Sequence, residues 1–374
     1  MRWTALRPVG ELVDPLPAAG HFAWPEGYNV AWLDSGTTAL AVALKATIGP
    51  STAERPRVLA PAYTCPDVLS AIAWAGAMPI LADTQPGTPW IDAAAITSWS
   101  GPRVEAVVAP HFLGIAHPRE AVFEASRAAG VVLVEDSAQL GPGSSAFRPV
   151  AELVILSFGR GKPVPAGGGA LLYRTSMAEA VKEVLETLPL RTAGPAGWRA
   201  RIRIQNAAMT RLGFGLVRRL PALAVGETRY KPLQNPARLP LAWAERVEAT
   251  LASWEGSSME TSQYLMAAAT RAGFDPVAAA LGWDGRAPLL RLPVLARDRG
   301  ERDTVVAALD DAGLGATTFY RDTLPHAQGV PACEQVSELD NATEFAARLF
   351  TLPCHSGVSP RDREAIANVM ERAA

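Results

Sequence analysis

Cysteine is scarce in this chain. Cys65, Cys333 and Cys354 are an odd number with no metal-ligand spacing, which excludes a disulfide framework and a zinc cluster. They read as reduced thiols of a cytoplasmic protein, in the core or lining a pocket, and not as nucleophiles. An excess of one charge is also missing. The formal net charge is −2 over 374 residues, which gives no electrostatic case for binding nucleic acid or a membrane. No apolar run approaches the roughly 20 residues of a membrane span. The stretch Met1–Gly10 lacks the apolar region of a signal peptide. Internal repeats, low-complexity linkers and helix-turn-helix or basic DNA-reading segments are absent from the sequence. The expectation is a soluble, cytoplasmic protein without a metal.

What is present is ample apolar material. A hydrophobic content of 49% against 19% charged residues supports one large domain and a smaller one, placed at residues 1–245 and 246–374. From Asn29 to Tyr173 short apolar runs alternate with Ala-rich helical stretches. The runs predict strands at Val58–Pro61, Pro79–Asp83, Ala106–Pro110, Val131–Glu135, Leu153–Ser157 and Gly169–Tyr173. Helices are predicted at Thr38–Ala46, Pro66–Ala75, Arg119–Ala128 and part of Met177–Thr187. Unalternated apolar strands are buried on both faces, and intervening helices imply a mainly parallel sheet whose ligand lies beyond the strands' carboxyl ends.

From about Leu188 to Pro240 this pattern fails. Arg191, Arg199, Arg201, Arg203, Arg211, Arg218 and Arg219 occur there with very few acids, as an irregular or helical insertion. Trp198, Ile202, Ile204, Leu212, Phe214 and Leu216 are interleaved with them and need cover, so a solvated or dimer-forming face is expected over an anion-binding one. Helical pattern returns at Leu241–Trp254 and Met259–Ala272. Beyond it lie a strand at Leu289–Leu295, a helix at Glu301–Ala312, strands near Ala316–Tyr320 and at Leu349–Leu352, and a last helix capped by Ser359 with Pro360 and Asp362 in its first turn.

The chemistry centres on Lys162. The run Leu153 to Gly169 delivers Ser157, a glycine-bearing turn, one lysine and then three glycines. A lysine held near a strand end can lose its proton and form an imine with a carbonyl. Taken alone, a surface lysine in a glycine-rich turn is the ordinary reading. A nucleotide-binding P-loop fails, because Pro163 stands where Ser or Thr must hold magnesium and the upstream glycine is missing. Upstream, the strand Val131–Glu135 leads into Asp136, with Gln139 three residues on. An acid beside a lysine imine is how pyridoxal-phosphate enzymes keep the pyridine nitrogen protonated and electron-withdrawing; a turn or cap is the bland alternative. Asp34-Ser35-Gly36-Thr37-Thr38 opens a helix whose free N–H groups suit a phosphate, or is an ordinary helix start. His111, after the strand ending at Pro110, lies at the same sheet edge and is a candidate pocket residue. His355 is read as structural.

Ser-Gly-Thr-Thr-Ala-Leu, Pro-Ala-Tyr-Thr-Cys, Glu-Asp-Ser-Ala-Gln, Ser-Phe-Gly-Arg-Gly-Lys and Leu-Pro-Cys-His-Ser-Gly-Val-Ser stand in the order found in the DegT/StrS aminotransferases. The chain resembles that family from about Asn29 to Tyr173 and again from about Leu239 onward. Its members are fold-type I pyridoxal 5'-phosphate (PLP) enzymes that mostly aminate keto-sugars carried on nucleotides. The resemblance implies a mainly parallel seven-stranded sheet between helices, a smaller C-terminal α+β domain, and a homodimer with its active site at the subunit boundary. It implies Lys162 as the imine-forming lysine and proton shuttle, Asp136 on the ring nitrogen and Gln139 on the ring hydroxyl. Ser157, Gly36, Thr37 and Thr38 would bind the phosphate. Cys65 stands where the family commonly places an aromatic stacked on the ring, and Tyr63 is the possible substitute. The family's Gly-Tyr-Asn-Tyr-Arg block has no clean counterpart; its nearest text, Arg229 to Arg238, offers Asn235 and Arg238 as substrate contacts. The implied reaction moves an amino group from glutamate or glutamine to a nucleotide-linked keto-sugar, in polysaccharide or natural-product synthesis. The alternatives are a non-sugar substrate on the same scaffold, or a non-catalytic binding or regulatory protein that kept the fold.

Overall fold

The apolar runs between Tyr28 and Arg174 assemble into one sheet in the computed structural model, which describes residues 4–49, 55–101, 103–192, 194–219, 229–254, 256 and 259–373. In chain order its first part comprises β1 (Tyr28–Leu33), α1 (Gly36–Ile48), β2 (Arg57–Pro61), α2 (Pro66–Ala75), β3 (Met78–Ala82), α3 (Ala94–Ser98), β4 (Val104–Pro110), α4 (Glu120–Ala129), β5 (Val132–Asp136), β6 (Leu153–Ser157) and β7 (Gly169–Arg174). Helices α5 (Ala178–Glu186), α6 (Pro195–Met209), α7 (Arg211–Val217), α8 (Leu241–Ala252) and α9 (Met259–Arg271) follow. The rest is β8 (Arg291–Leu295), α10 (Arg299–Asp311), β9 (Glu334–Gln335), α11 (Asp340–Arg348), β10 (Leu349–Pro353) and α12 (Pro360–Ala373).

Strand order is β1-β7-β6-β5-β4-β2-β3-β9, with β1 and β7 antiparallel to their neighbours and the remaining pairs parallel. The sheet thus has eight strands against an expected seven. The eighth, β9, comes from far along the chain and pairs Ile80 and Leu81 of β3 with Glu334 and Gln335, which covers an edge that β3 would otherwise expose. Alternation along each central strand feeds two cores. Val58, Ala60, Ala106 and Val108 pack with α1 and α2, whereas Leu59, Val107 and Leu133 pack toward α3 and α4. At the other end Val154, Leu156, Ala170 and Leu172 meet Trp198, Ile202, Trp243 and Val247 of α6 and α8. Covering Ile202 alone stabilises the fold by roughly 1.5–3 kcal/mol.

The arginine-rich stretch is therefore helical over α6 and α7, and residues 220–228 of it lie outside the described residues. Trp198 and Ile202 are buried as expected, but Ile204, Leu212 and Leu216 are exposed. Several of its arginines are paired within the chain: Arg191 with Asp34 at 2.8 Å, Arg211 with Asp362, and Arg218 with Asp310 at 2.6 Å. The strand expected near Ala316–Tyr320 does not form; only Thr317 bridges to Thr351 there. Gly315 and Phe319 take positive φ values of 74° and 57°, which interrupts an extended run. Gly315 cannot be replaced cheaply, since a Cβ would lie 2.9 Å from the carbonyls of Leu6 and Arg7 on the N-terminal segment that crosses it. β8 and β10 form a two-stranded antiparallel sheet. The start of α12 matches expectation: the Ser359 Oγ accepts from the Asp362 N–H at 3.3 Å, and Asp362 Oδ2 accepts from the Ser359 N–H at 2.8 Å.

Candidate active site

Register brings the sequence motifs to one edge. Asp136 ends β5 opposite Ile155, two residues before Ser157 at the end of β6, and Ser157 pairs with Gly169 of β7. Helix α1 starts against this edge. Ser35 caps it in an extended conformation, accepting from the Thr38 N–H at 3.0 Å. A Cβ on Gly36 would fall 2.6 Å from that of Ser157, so glycine is what lets the helix start close on the strand end. The resulting cleft encloses about 450 Å3, its open mouth included, and is lined by Gly36, Thr37, Asp67, Asp136, Gln139, Ser157 and Lys162, with Thr64, Cys65 and Tyr320.

Asp136 and Gln139 are held in the cleft by hydrogen bonds from behind. Asp136 Oδ1 accepts from the Ala138 N–H at 2.9 Å, and the other carboxylate oxygen has no hydrogen-bond partner among the described residues. Burial pushes this carboxyl up, and the charge on Lys162 pulls it back down. The Gln139 Oε1 accepts from the Leu113 N–H at 3.0 Å while Nε2 donates to the Tyr320 hydroxyl at 3.1 Å, leaving one amide N–H to spare. Burial drives the Tyr320 phenol well above its ordinary range, so it stays neutral. Burial, reinforced by Asp67, pushes the Cys65 thiol up to about 12, which keeps it from acting as a nucleophile.

Several expected residues are elsewhere. Tyr63 does not reach the cleft: its hydroxyl donates to the Tyr320 carbonyl at 3.1 Å, and its ring packs against Phe112, Tyr320 and Phe345. Cys65 alone of the two lines the cleft. His111 is buried behind the sheet edge, its Nδ1 accepting from the His117 N–H at 2.8 Å and its Nε2 lying 3.4 Å from Glu135 Oε2. The Thr38 hydroxyl is spent on Asp34 at 2.6 Å, so only Gly36 and Thr37 of the helix start face the cleft. Asn235 is exposed with φ 51°, and Arg238 donates to the Leu188 carbonyl at 3.1 Å; neither lines the cleft of its own chain. His355 is structural, held 2.8 Å from the Arg7 carbonyl, and burial lowers its pKa to about 4. Three polar cleft residues, Thr64, Asp67 and Tyr320, escaped the sequence reading. Asp67 was concealed in the start of α2, although an acid directly after a proline and a pocket-forming motif was a usable signal. Tyr320 carried no local signal.

The chemistry of these donors fits pyridoxal phosphate. The Asp136 carboxylate lines the cleft with one oxygen that no group of the described residues meets, which suits a donor such as a pyridinium N–H. The spare amide proton of Gln139 suits a ring oxygen. A helix start beside a serine hydroxyl suits a phosphate, and an amine stands within the same cleft.

A sequence model described as the DegT/DnrJ/EryC1/StrS aminotransferase family matches residues 26–215 and 260–371. A GDP-perosamine synthase of Caulobacter vibrioides is 32% identical over 107 residues, a stretch that spans only 28% of this chain and 28% of that relative. Among solved structures, PseC of Helicobacter pylori, an aminotransferase of pseudoaminic acid biosynthesis, superposes with a TM-score of 0.67 at 17% identity, covering 92% of this chain and 86% of its own. NtdA of Bacillus subtilis, solved with PMP, superposes with a TM-score of 0.66 at 15% identity, covering 92% of this chain and 73% of its own. The fold is that of the PLP aminotransferases of fold-type I. The chain belongs to the DegT/DnrJ/EryC1/StrS aminotransferase family, whose cofactor is pyridoxal 5'-phosphate.

Proposed function

We propose that this chain is a PLP-dependent aminotransferase that moves an amino group from glutamate or glutamine to a nucleotide-linked keto-sugar. The observation that carries the reading is the convergence of Lys162, Asp136, Gln139, Ser157 and the start of α1 on one cleft. When bound, the cofactor supplies an electron sink for the pair released as a Cα–H bond breaks. Asp136 holds the proton on the ring nitrogen through its unpartnered oxygen. Gln139 donates to the ring oxygen, and Tyr320 fixes the amide that does so. Ser157 and the N–H groups at Gly36 and Thr37 hold the phosphate. With the cofactor bound, the Lys162 Nζ would take the proton from the α-carbon of the amino donor and carry it past the intervening nitrogen, and would run the same transfer in reverse for the acceptor.

The nucleotide-sugar acceptor is supported by the relatives, one a GDP-perosamine synthase and one acting in pseudoaminic acid biosynthesis. The active unit is a cytoplasmic homodimer with residues 1–245 as the cofactor domain and 246–374 as the smaller one. Exposed Ile204, Leu212 and Leu216 within the cofactor domain support a subunit face there. The reading is tested on purified protein: it is yellow after loading with PLP, borohydride bleaches the band, and a panel of nucleotide-linked keto-sugars with glutamate yields an aminated product. Colourless protein that takes up no PLP would sink it.

A further inference from the structure

Resting on the PLP reading above, we infer that Asp67 is a proton-linked brake on cofactor loading: its carboxylate stands at the phosphate end of the cleft, and the phosphate binds there with uptake of one proton. Asp67 is the second residue of α2 and lines the cleft with Ser157 and Lys162. Its Oδ2 accepts from the Thr37 hydroxyl at 3.4 Å, a long contact to the first turn of the helix whose start faces that end. A phosphate group brings about −1.5 to −2 charges at neutral pH. The cleft that receives it therefore already holds an anion where the incoming one must sit.

Among the described residues, the charged and titratable groups facing Asp67 are few. Lys162, after β6, and Lys231, on the segment before α8, favour its carboxylate. Asp136 at the end of β5 opposes it as a second anion. Cys65 and Tyr320 are held neutral by burial, and Thr37 is uncharged. Burial already raises the Asp67 carboxyl above its ordinary range despite a helix N-terminus that favours a carboxylate. Like charges a few ångströms apart resolve by one of them taking a proton. Once protonated, the carboxyl becomes an O–H donor to a phosphate oxygen, and repulsion turns into a hydrogen bond. No covalent step is involved; one proton moves from solvent to Asp67 as the phosphate enters.

The test uses full-length apoenzyme, wild type and the near-isosteric Asp67→Asn, titrated with PLP and followed by tryptophan fluorescence from about pH 5 to about pH 9. The wild-type Kd rises with pH relative to the variant, because the carboxylate is deprotonated as pH climbs through its raised pKa. The ratio rises with pH, and uptake of a whole proton requires it to reach about a hundredfold, equivalent to two pKa units. Taking the ratio removes the titrations of phosphate and Lys162 that both proteins share. Pyridoxal, which lacks the phosphate, binds both proteins alike. Asp67→Ser gives the same pattern if the asparagine protein does not fold. A ratio that stays flat with pH, a variant that binds PLP more weakly in alkali, or an equal gain for pyridoxal overturns the inference while leaving the PLP reading intact. Wild type that binds no PLP at any pH overturns both.

Discussion

Strand β5 ends in two adjacent carboxylates, and alternation sends them to opposite faces of the sheet. Glu135 goes to the reverse face. Its Oε1 accepts from the Val150 and Ala151 N–H groups, each at 2.7 Å, and its Oε2 lies 3.4 Å from His111 and 3.8 Å from Arg119. Burial alone would raise this carboxyl, but the His111 bond, its charge and the two backbone donors outweigh that and lower it. Asp136 goes to the cleft with one backbone donor, one unpartnered oxygen and a raised pKa. The same residue chemistry one position apart thus ties down the strand end through backbone donors and an ion pair on one face and turns a carboxylate toward the cleft on the other.

The largest expected effect lies on the cleft face. Lys162→Ala is predicted to keep the fold, by circular dichroism and an unchanged melting temperature within a few degrees, while turnover falls by at least about a thousandfold. The borohydride-bleachable band disappears with it. Near wild-type transamination by that variant would remove Lys162 from the chemistry and with it the distinction between the two faces.

Next come the two carboxylates themselves. Glu135→Gln breaks a buried charged network and is expected to cost on the order of 3 kcal/mol of stability, with kcat of the folded fraction little changed. Asp136→Asn is expected to do the reverse: little loss of apoenzyme stability, but strongly weakened PLP binding and turnover. Their pH dependences have opposite sign. Glu135, lowered in the folded state, contributes stability that is present above its ordinary value and lost as pH falls through the folded one. Asp136, raised, contributes stability that is full below its ordinary value and lost as pH rises through the folded one. Melting temperatures of the apoenzymes against pH separate these: the Glu135 variant loses an acid-side slope, and the Asp136 variant loses a slope in the opposite sense. Identical slopes would mean that both acids share one environment.

These contrasts also mark how far the sequence could be read. Asp136 and Ser157 were legible because each ends an apolar run that fixes its position at the sheet edge, and Gln139 and Lys162 because they follow those ends within a short turn. Helices α1, α2 and α4 were legible as Ala-rich stretches between the apolar runs. Strand β1 was missed because Trp32 and Asn29 blur its alternation, and β9 because two residues carry no period. Tyr63 looked like a ring-stacking candidate, yet an aromatic cluster with Phe112 and Phe345 claims it, which only tertiary packing decides. His111 was placed correctly at the sheet edge but on the wrong side of it, because the carboxylate it pairs with is Glu135 and not Asp136. Tyr320 arrives from a distant segment, where the left-handed backbone of Phe319 breaks the strand that the sequence implied.

Tyr320 gives the smallest effect and the sharpest limit on the cleft face. Its hydroxyl receives the Gln139 amide N–H, whereas its carbonyl, not its hydroxyl, receives Tyr63. Tyr320→Phe therefore removes one acceptor and spares the aromatic packing and the Tyr63 contact. Leaving that amide proton unmatched should cost about 1 kcal/mol, a few-fold in PLP affinity, with a similarly small change in kcat. Asp136→Asn is expected to exceed it in both measurements, because the carboxylate meets the ring nitrogen itself and the phenol acts only through Gln139. Should Tyr320→Phe reduce kcat more than Asp136→Asn does, the phenol touches the reacting atoms, and the division between groups that hold the ring and groups that steady those holders would have to be redrawn around it.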